Sequence, residues 1–245
     1  MARPRNPSIL RAAQVHLLGT PALKKTRHTR LLMPEKALWL LTYLACQNRW
    51  VSREEMAALL WPDSDSSAAR HSLRQLLQRL RSLRWTHTLE TEPTCLRWWE
   101  GSDLHEFRRC AASGLWAEAL HHHQGELLQG FYPAELEEFC AWLELERRQL
   151  HTQWMQVCKA QAQRLTQQNQ PEAALQVLEH VLHKDPLAEH ALQGYLRLAR
   201  HREDRDRAGR FYQQFKQALQ QEVGLEPSLE TRQLYQGLFM ADGTR

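Results

Sequence analysis

The sequence contains 245 residues, of which 42% are hydrophobic and 24% are charged, with a formal net charge of +4 and only ten glycines and ten prolines. This composition argues against a disordered chain and against a turn-rich β-protein, and it predicts a mainly helical protein with one large or two modest cores. The most apolar stretch, residues 37–46, is about half as long as a membrane span, and no secretory signal follows the N-terminal arginines, which places the protein in the cytoplasm.

Short extended segments come first along the chain. Residues 14–18 and two segments within residues 26–33 predict a small antiparallel sheet. Pro34 suits the first position of a helix, and the apolar residues that follow it recur at helical spacing. A first helix is therefore predicted over residues 34–47.

Two further helices and a hairpin follow. Ser52 and Glu55 make a capping-box pattern, in which each side chain accepts from the other residue's backbone N–H, and the helix that they open ends before Pro62. Residues 67–84 place their apolar side chains in one stripe about 120° wide, as in an amphipathic helix. Residues 88–99 contain two β-prone runs around a turn, which predicts a hairpin. The order of sheet, three helices and hairpin is typical of a winged helix-turn-helix.

The rest of the chain alternates helical patterns with short polar breaks. Apolar residues recur 34 residues apart in four pairs: Ala174 and Ala208, Leu178 and Tyr212, Cys158 and Leu192, Val181 and Phe215. This is the period of tetratricopeptide repeats, in which stacked helical pairs share one core. Gln220 stands where proline would end the second repeat, which predicts a longer final helix to about residue 222.

These patterns predict a mainly α protein with two domains. Residues 1–100 form an α+β winged helix-turn-helix, and residues 101–245 form an all-α, tetratricopeptide-like domain. The first hundred residues hold 16 Lys and Arg against 8 Asp and Glu, a net charge of +8, whereas the remainder holds 16 against 20. The basic first domain favours a polyanionic partner such as nucleic acid.

The third predicted helix is the candidate DNA-reading element, because its free face carries side chains that can bond base edges and phosphates. Arg70 and Arg74 are the expected base readers, and Arg81 is the expected phosphate contact. A merely solvated helix face is the alternative. In the hairpin, Arg97 is either a DNA contact or a plain strand position, since Glu90 opposes the contact. The predicted DNA-binding residues are Ser67, Arg70, His71, Arg74, Gln75, Gln78, Arg81 and Arg97.

Motifs for catalysis or metal binding do not emerge from the sequence. It has no phosphate-binding G-x-x-x-x-G-K-[ST] loop, no H-E-x-x-H and no G-x-S-x-G. Residues 121–123 are consecutive histidines, which point about 100° apart on a helix and cannot all ligate one ion. The five cysteines lack metal-ligand spacing and are expected to be reduced and buried. We therefore predict no catalytic residue, no metal site, no cofactor and no enzyme activity.

Three segments resemble one family of regulators. Residues 53–83 resemble the end of an OmpR-type winged helix, with the run Leu-Trp-Pro-Asp and a closing L-x-R-L-R. Residues 125–150 and 224–238 resemble the bacterial transcriptional activator domain. Together, in this order, they resemble the SARP family of transcriptional activators over nearly the whole chain.

The resemblance implies an activator that binds direct repeats in double-stranded DNA near promoters as side-by-side protomers and helps to hold RNA polymerase there. It also implies that the helical domain contacts the winged helix and a partner protein or second protomer. Relatives touch polymerase through the loop at residues 61–66, so Asp63 and Asp65 are candidate polymerase contacts, with capping of the next helix as the alternative. No membrane partner, receiver domain or nucleotide-hydrolysing module is expected.

The alternative function is a tetratricopeptide-type adaptor whose winged helix docks onto protein and does not bind DNA. Such a module would keep no basic recognition face and would show no salt-sensitive DNA binding. The arginines at positions 70, 74 and 81 favour the DNA-binding interpretation.

Overall fold

The structure of the protein, a computed structural model, describes residues 14–25, 28–199 and 201–240. Contacts divide the chain into two compact units, the first ending at Trp154 and the second beginning at Met155, inside the longest helix. Within the described ranges, no helix combines the length and the apolar composition that a membrane span requires. The domain boundary expected near residue 100 stays a prediction.

Three strands open the first unit: β1 (Gln14–His16), β2 (Ala22–Lys25) and β3 (His28–Leu31), paired antiparallel in that order. The small sheet is confirmed, but β2 lies earlier than the predicted segment within residues 26–33. Ala22 and Leu23 are buried. Their burial stabilises this segment as a strand, although its last two residues are lysines. Residues 26 and 27 of the predicted segment lie outside the described residues.

The winged helix-turn-helix is confirmed. Its remaining elements are α1 (Lys36–Gln47), β4 (Val51–Ser52), α2 (Arg53–Leu60), α3 (Ser66–Arg81), β5 (Leu89–Thr91) and β6 (Cys95–Trp98). The sequence patterns did not indicate β4, which pairs with β6 and makes the hairpin a three-stranded sheet of order β4-β6-β5. The α3 helix ends three residues before the predicted position because the Thr86 hydroxyl donates to the Leu80 carbonyl at 2.5 Å and turns the chain into a short 3-10 helix.

Only half of the predicted capping box forms at the start of α2. The Ser52 hydroxyl accepts from the Glu55 backbone N–H at 3.0 Å. The Glu55 carboxylate accepts from the Tyr43 hydroxyl at 2.7 Å and from Arg49 at 3.0 Å instead of from Ser52. The hydrogen bond from the Tyr43 hydroxyl, which comes from α1, therefore ties the start of α2 to the preceding helix.

Three more helices complete the first unit: α4 (Asp103–Ala112), α5 (Trp116–His122) and the beginning of α6 (Glu137–Gln167). Aromatic side chains join α1 to this part of the chain, with the Trp39 ring centroid 5.7 Å from Phe139 and that of Tyr43 4.6 Å from Trp142. Arg108 donates to the Cys46 carbonyl at the end of α1, at 2.7 Å. The winged helix thus packs directly on the helices that follow it.

His105 is a buried, neutral histidine beneath the hairpin. Its Nε2 donates to the Trp98 carbonyl at 3.1 Å, and its Nδ1 accepts from the Ser102 hydroxyl at 2.8 Å. Burial lowers the pKa of His105 from 6.5 to about 4. The folded protein therefore binds fewer protons than the unfolded chain between these two pH values.

The stability of the protein is expected to fall as the pH drops from 6.5 towards 4, with His105 contributing up to about 3 kcal/mol of this loss. The His105→Gln variant should be less stable at pH 7 and should lose less stability on acidification. Urea unfolding at several pH values measures both slopes. Equal slopes for the two proteins would contradict the prediction.

The second unit contains the last part of α6 together with α7 (Pro171–Lys184), α8 (Glu189–Leu198), α9 (Arg202–Glu222) and α10 (Leu229–Met240). All eight residues paired by the 34-residue spacing are buried, which confirms the tetratricopeptide-like repeat. The α9 helix ends at the predicted residue but is not the final helix. Glu189 accepts from the Ser228 backbone N–H and the Thr231 hydroxyl, at 2.9 and 2.6 Å, and this fixes α10 against α8.

All five cysteines are unpaired thiols, as expected. Four are buried, whereas Cys95 in β6 is half-buried. The expectation of uniformly buried thiols is therefore wrong at this one position, because the short hairpin is only partly covered.

Candidate nucleic-acid interface

The α3 helix begins at a strong cap. The Asp65 Oδ1 accepts from the backbone N–H groups of Ser67 and Ala68, both at 2.9 Å, and from the Ser67 hydroxyl at 2.8 Å. The hydrogen bonds from Ala68 and Ser67 hold the pKa of Asp65 below its usual value. Asp65 therefore caps α3, as the alternative interpretation stated, while Asp63 lies exposed in the preceding turn. Contact of either residue with polymerase stays a prediction.

As the spacing of its apolar residues predicted, α3 has one buried face and one exposed face. Its buried side chains are Ala69, Leu73, Leu76, Leu77 and Leu80. Leu83, the last residue of the predicted stripe, lies beyond the helix and is 37% exposed. The predicted DNA-binding residues of this helix are all exposed: Ser67, Arg70, His71, Arg74, Gln75, Gln78 and Arg81.

Several of these side chains bond to near neighbours. The Arg70 Nε donates to the Ser66 carbonyl at 2.9 Å, and an Arg70 nitrogen lies 3.8 Å from the Glu54 carboxylate. The Gln75 and His71 Nε2 atoms lie 2.8 Å apart. The four side chains in these contacts are all exposed: Glu54, Arg70, His71 and Gln75. Contacts between exposed side chains are weak, so they can be exchanged for contacts with a ligand at low cost.

A groove of about 400 Å³ separates α3 from the turn of the hairpin. Arg70 and Arg74 line one side, and Pro93 and Thr94 line another. Arg53, at the start of α2, also lines this groove, where its Nε donates to the Glu92 carbonyl at 2.9 Å. Three arginines therefore converge at one place on the surface.

Sequence reasoning missed Arg53 as a member of this group. The signal lay in the pairing of β4 with β6, because that pairing brings the start of α2 beside the hairpin turn. The Arg53 backbone N–H donates to the Thr94 carbonyl at 2.9 Å, which fixes its position. A two-residue strand has too little pattern for its partner to be recognised from the sequence.

Arg97 is held within the hairpin. A guanidinium nitrogen lies 2.7 Å from the Glu90 carboxylate, and the guanidinium carbon lies 4.5 Å from the centre of the Trp50 ring. The Trp99 indole N–H also donates to Glu90 at 2.7 Å. The hydrogen bond from Trp99 has the largest effect on the pKa of Glu90, followed by that from Arg97, and both lower it. The Arg97 guanidinium is thus engaged within the hairpin, and its role as a DNA contact stays a prediction.

Arg81 lies at the other end of α3 and links that helix to the hairpin. One of its guanidinium nitrogens donates to the Thr91 hydroxyl at 2.5 Å. The second and third turns of α3 thus lie at the groove with Arg53, and the last turn lies at β5. The arrangement suits a helix that enters a groove of duplex DNA while the hairpin flanks it.

Comparison with known proteins gives both a family match and a structural match. The family model for the bacterial transcriptional activator domain matches residues 100–239. Among solved structures, the fold is similar to that of Mycobacterium tuberculosis EmbR in complex with a low-affinity phosphopeptide, with a TM-score of 0.62 and 18% sequence identity. The match covers 94% of this chain and 66% of that chain, and at this identity it establishes the fold. No curated protein matches the sequence.

Proposed function

Since the chain belongs to the family of the bacterial transcriptional activator domain and is a SARP-type transcriptional regulator, we propose that it binds duplex DNA sequence-specifically through α3. One observation carries this proposal: α3 is anchored by its apolar stripe and exposes Arg70 and Arg74 beside Arg53 at an open groove. A regulator of this kind needs no catalytic residue or cofactor, and it works in the cytoplasm, where the DNA is.

Binding would proceed in two physical steps. The net charge of +8 on the first hundred residues attracts the phosphate backbone and accelerates the encounter, and the released counterions make affinity fall steeply with salt. Arg70 and Arg74 then bond base edges in the major groove, while Ser67, Gln75 and Gln78 supply further polar contacts. Arg81 bonds a phosphate and sets the register of the helix.

The operator would be a direct repeat occupied by two side-by-side protomers, and the bound protein would hold RNA polymerase at the promoter. Asp63 is the better-placed polymerase contact, because it is exposed and caps no helix, whereas Asp65 is committed to α3. Asp63→Asn should therefore retain DNA binding and lower activated transcription in a purified system. Unchanged activation would remove Asp63 from this proposal.

Selection from a random library of short duplexes tests the proposal. The purified protein should enrich one short motif, repeated in the same orientation, and its affinity for that motif should fall at least about 100-fold between about 50 and 200 mM salt. Failure to enrich any sequence at low salt would overturn the proposal and favour the adaptor function. Enrichment of a single copy of the motif would support sequence-specific binding by α3. It would contradict the proposal that two protomers bind side by side on a direct repeat.

The hairpin offers a test of whether Arg97 contacts DNA. The Glu90→Gln substitution removes a negative charge beside the DNA and weakens the pair that holds Arg97, so affinity for duplex DNA should rise several-fold and the salt slope should steepen by about one charge. Titration of labelled duplex at several salt concentrations measures both effects. Glu90→Gln/Arg97→Gln is the matched control, in which the gain should disappear. A gain of equal size in the double variant would mean that Arg97 does not touch DNA.

A further inference from the structure

Three side chains of metal-ligand type come together between α4 and α5. Glu106 and Cys110 are one turn apart on α4, and His122 is the last residue of α5. One carboxylate oxygen, the thiol sulfur and one ring nitrogen all lie within 4.8 Å of one another. The three residues are too far apart in the sequence to make a recognisable spacing, which is why none was predicted.

The turn between the two helices produces this arrangement. Gly114 has a φ of +71°, a conformation that glycine adopts without strain. The Leu115 backbone N–H donates to the Cys110 carbonyl at 3.0 Å and closes the turn. As a result, α5 folds back along α4 and its last residue reaches the middle of α4.

The cluster is largely shielded from solvent and lies beside the cationic side chain of Arg109. Cys110 is 1% exposed, and Glu106 and His122 are half-buried. The two hydrogen bonds from Arg109 to Glu106, at 3.0 and 2.6 Å, both end on Oε2, so they do not occupy Oε1. The Arg109 guanidinium also donates to the Cys110 sulfur at 3.5 Å, and burial raises the pKa of the Cys110 thiol, so an ion bound there would displace the thiol proton.

The ligand types point to zinc among the common metal ions. Thiolate and imidazole are poor ligands for magnesium and calcium, and a carboxylate is a poor ligand for copper(I), whereas zinc accepts all three. An ion at the centre of the cluster would lie at most about 2.8 Å from each ligand atom, against zinc bond lengths of about 2.0–2.3 Å. Small side-chain rotations close that difference.

We propose that Glu106, Cys110 and His122 form a zinc-binding site, with water as the fourth ligand. The ion would fasten α5 to α4. Because α4 also carries Arg108, which bonds the end of α1, the ion would stabilise the packing of the winged helix on the helical region. Zinc would thus increase the thermal stability of the whole first unit.

Cobalt(II) and zinc binding by the full-length, reduced and chelator-treated protein tests this site. We expect one zinc ion per chain by equilibrium dialysis, a higher melting temperature with zinc, and a thiolate-to-cobalt charge-transfer band with cobalt(II). Cys110→Ser and His122→Asn should each weaken zinc binding by more than about 100-fold, since loss of an outer partner alone costs about 10–100-fold. Glu106→Gln should also weaken it.

Matched controls separate this site from incidental binding to other thiols and histidines. Cys158→Ser removes a buried thiol on another helix, and His121→Asn removes the exposed histidine next to His122; both should leave zinc affinity unchanged. Circular dichroism shows whether each variant is folded. The proposal is overturned if no ion binds, if the cobalt band persists in folded Cys110→Ser, or if His121→Asn weakens binding as much as His122→Asn.

Discussion

Arg74→Ala is expected to weaken binding to the selected operator by about 1–3 kcal/mol and to abolish the preference for one base pair within it. Arg74 lies in the third turn of α3, exposed, beside the groove that Arg70 and Arg53 also line. A bidentate contact between arginine and guanine has this energy because both of its hydrogen bonds are lost with the wrong base.

Measurement requires the affinities of both proteins for the operator and for each single-base variant of it. The preference lost from Arg74→Ala should be confined to one position. A uniform loss over all sequences would instead identify Arg74 as a phosphate contact. Arg79→Ala is the matched control, because Arg79 is exposed on the same helix about 140° around its axis from Arg74 and should change affinity little.

Asp103→Ala is expected to cost about 3–5 kcal/mol of folding free energy, a large share of the stability of an ordinary domain. Asp103 is fully buried at the start of α4. Its carboxylate accepts from the backbone N–H groups of Leu17 and Leu18, at 2.8 and 3.1 Å, and lies 3.3 Å from the His16 Nδ1. The substitution leaves buried donors without a partner.

Urea unfolding of wild type and variant measures this cost. Asp103→Asn should cost less, because the amide oxygen still accepts one of these bonds. Asp63→Ala, at an exposed aspartate, should change stability by less than about 0.5 kcal/mol. If Asp103→Ala cost less than about 1 kcal/mol, the joint between the first sheet and α4 would not depend on this carboxylate.

Local patterns accounted for the features that depend on nearby residues. The apolar stripe of α3 follows from its 3.6-residue period, and five of its six predicted side chains are buried in the structure, with Leu83 as the exception. The 34-residue repeat was visible because each helical pair buries the same positions, such as Ala174 and Ala208. Both patterns describe which face of a helix is apolar, and burial follows from that directly.

Features built from distant segments could not be predicted in this way. The β4 strand has two residues and acquires its meaning only from pairing with β6. Arg53 joins Arg70 and Arg74 because of that pairing. In the sequence, Asp103 has the pattern of an acidic residue in the first turn of a helix. In the structure, its carboxylate accepts from backbone N–H groups more than 80 residues away. In each of these cases the partner is remote in sequence, and a local pattern carries no information about it.

The central claim is that α3 reads DNA, and one comparison tests it most directly. The affinities of wild type and of Arg70→Ala/Arg74→Ala are measured for the selected operator and for a scrambled duplex of equal length, with the melting temperature of each protein as the check on folding. We predict that wild type prefers the operator by at least about 1,000-fold, and that the folded double variant binds both duplexes about equally. Retention of the full preference by the double variant would contradict the claim.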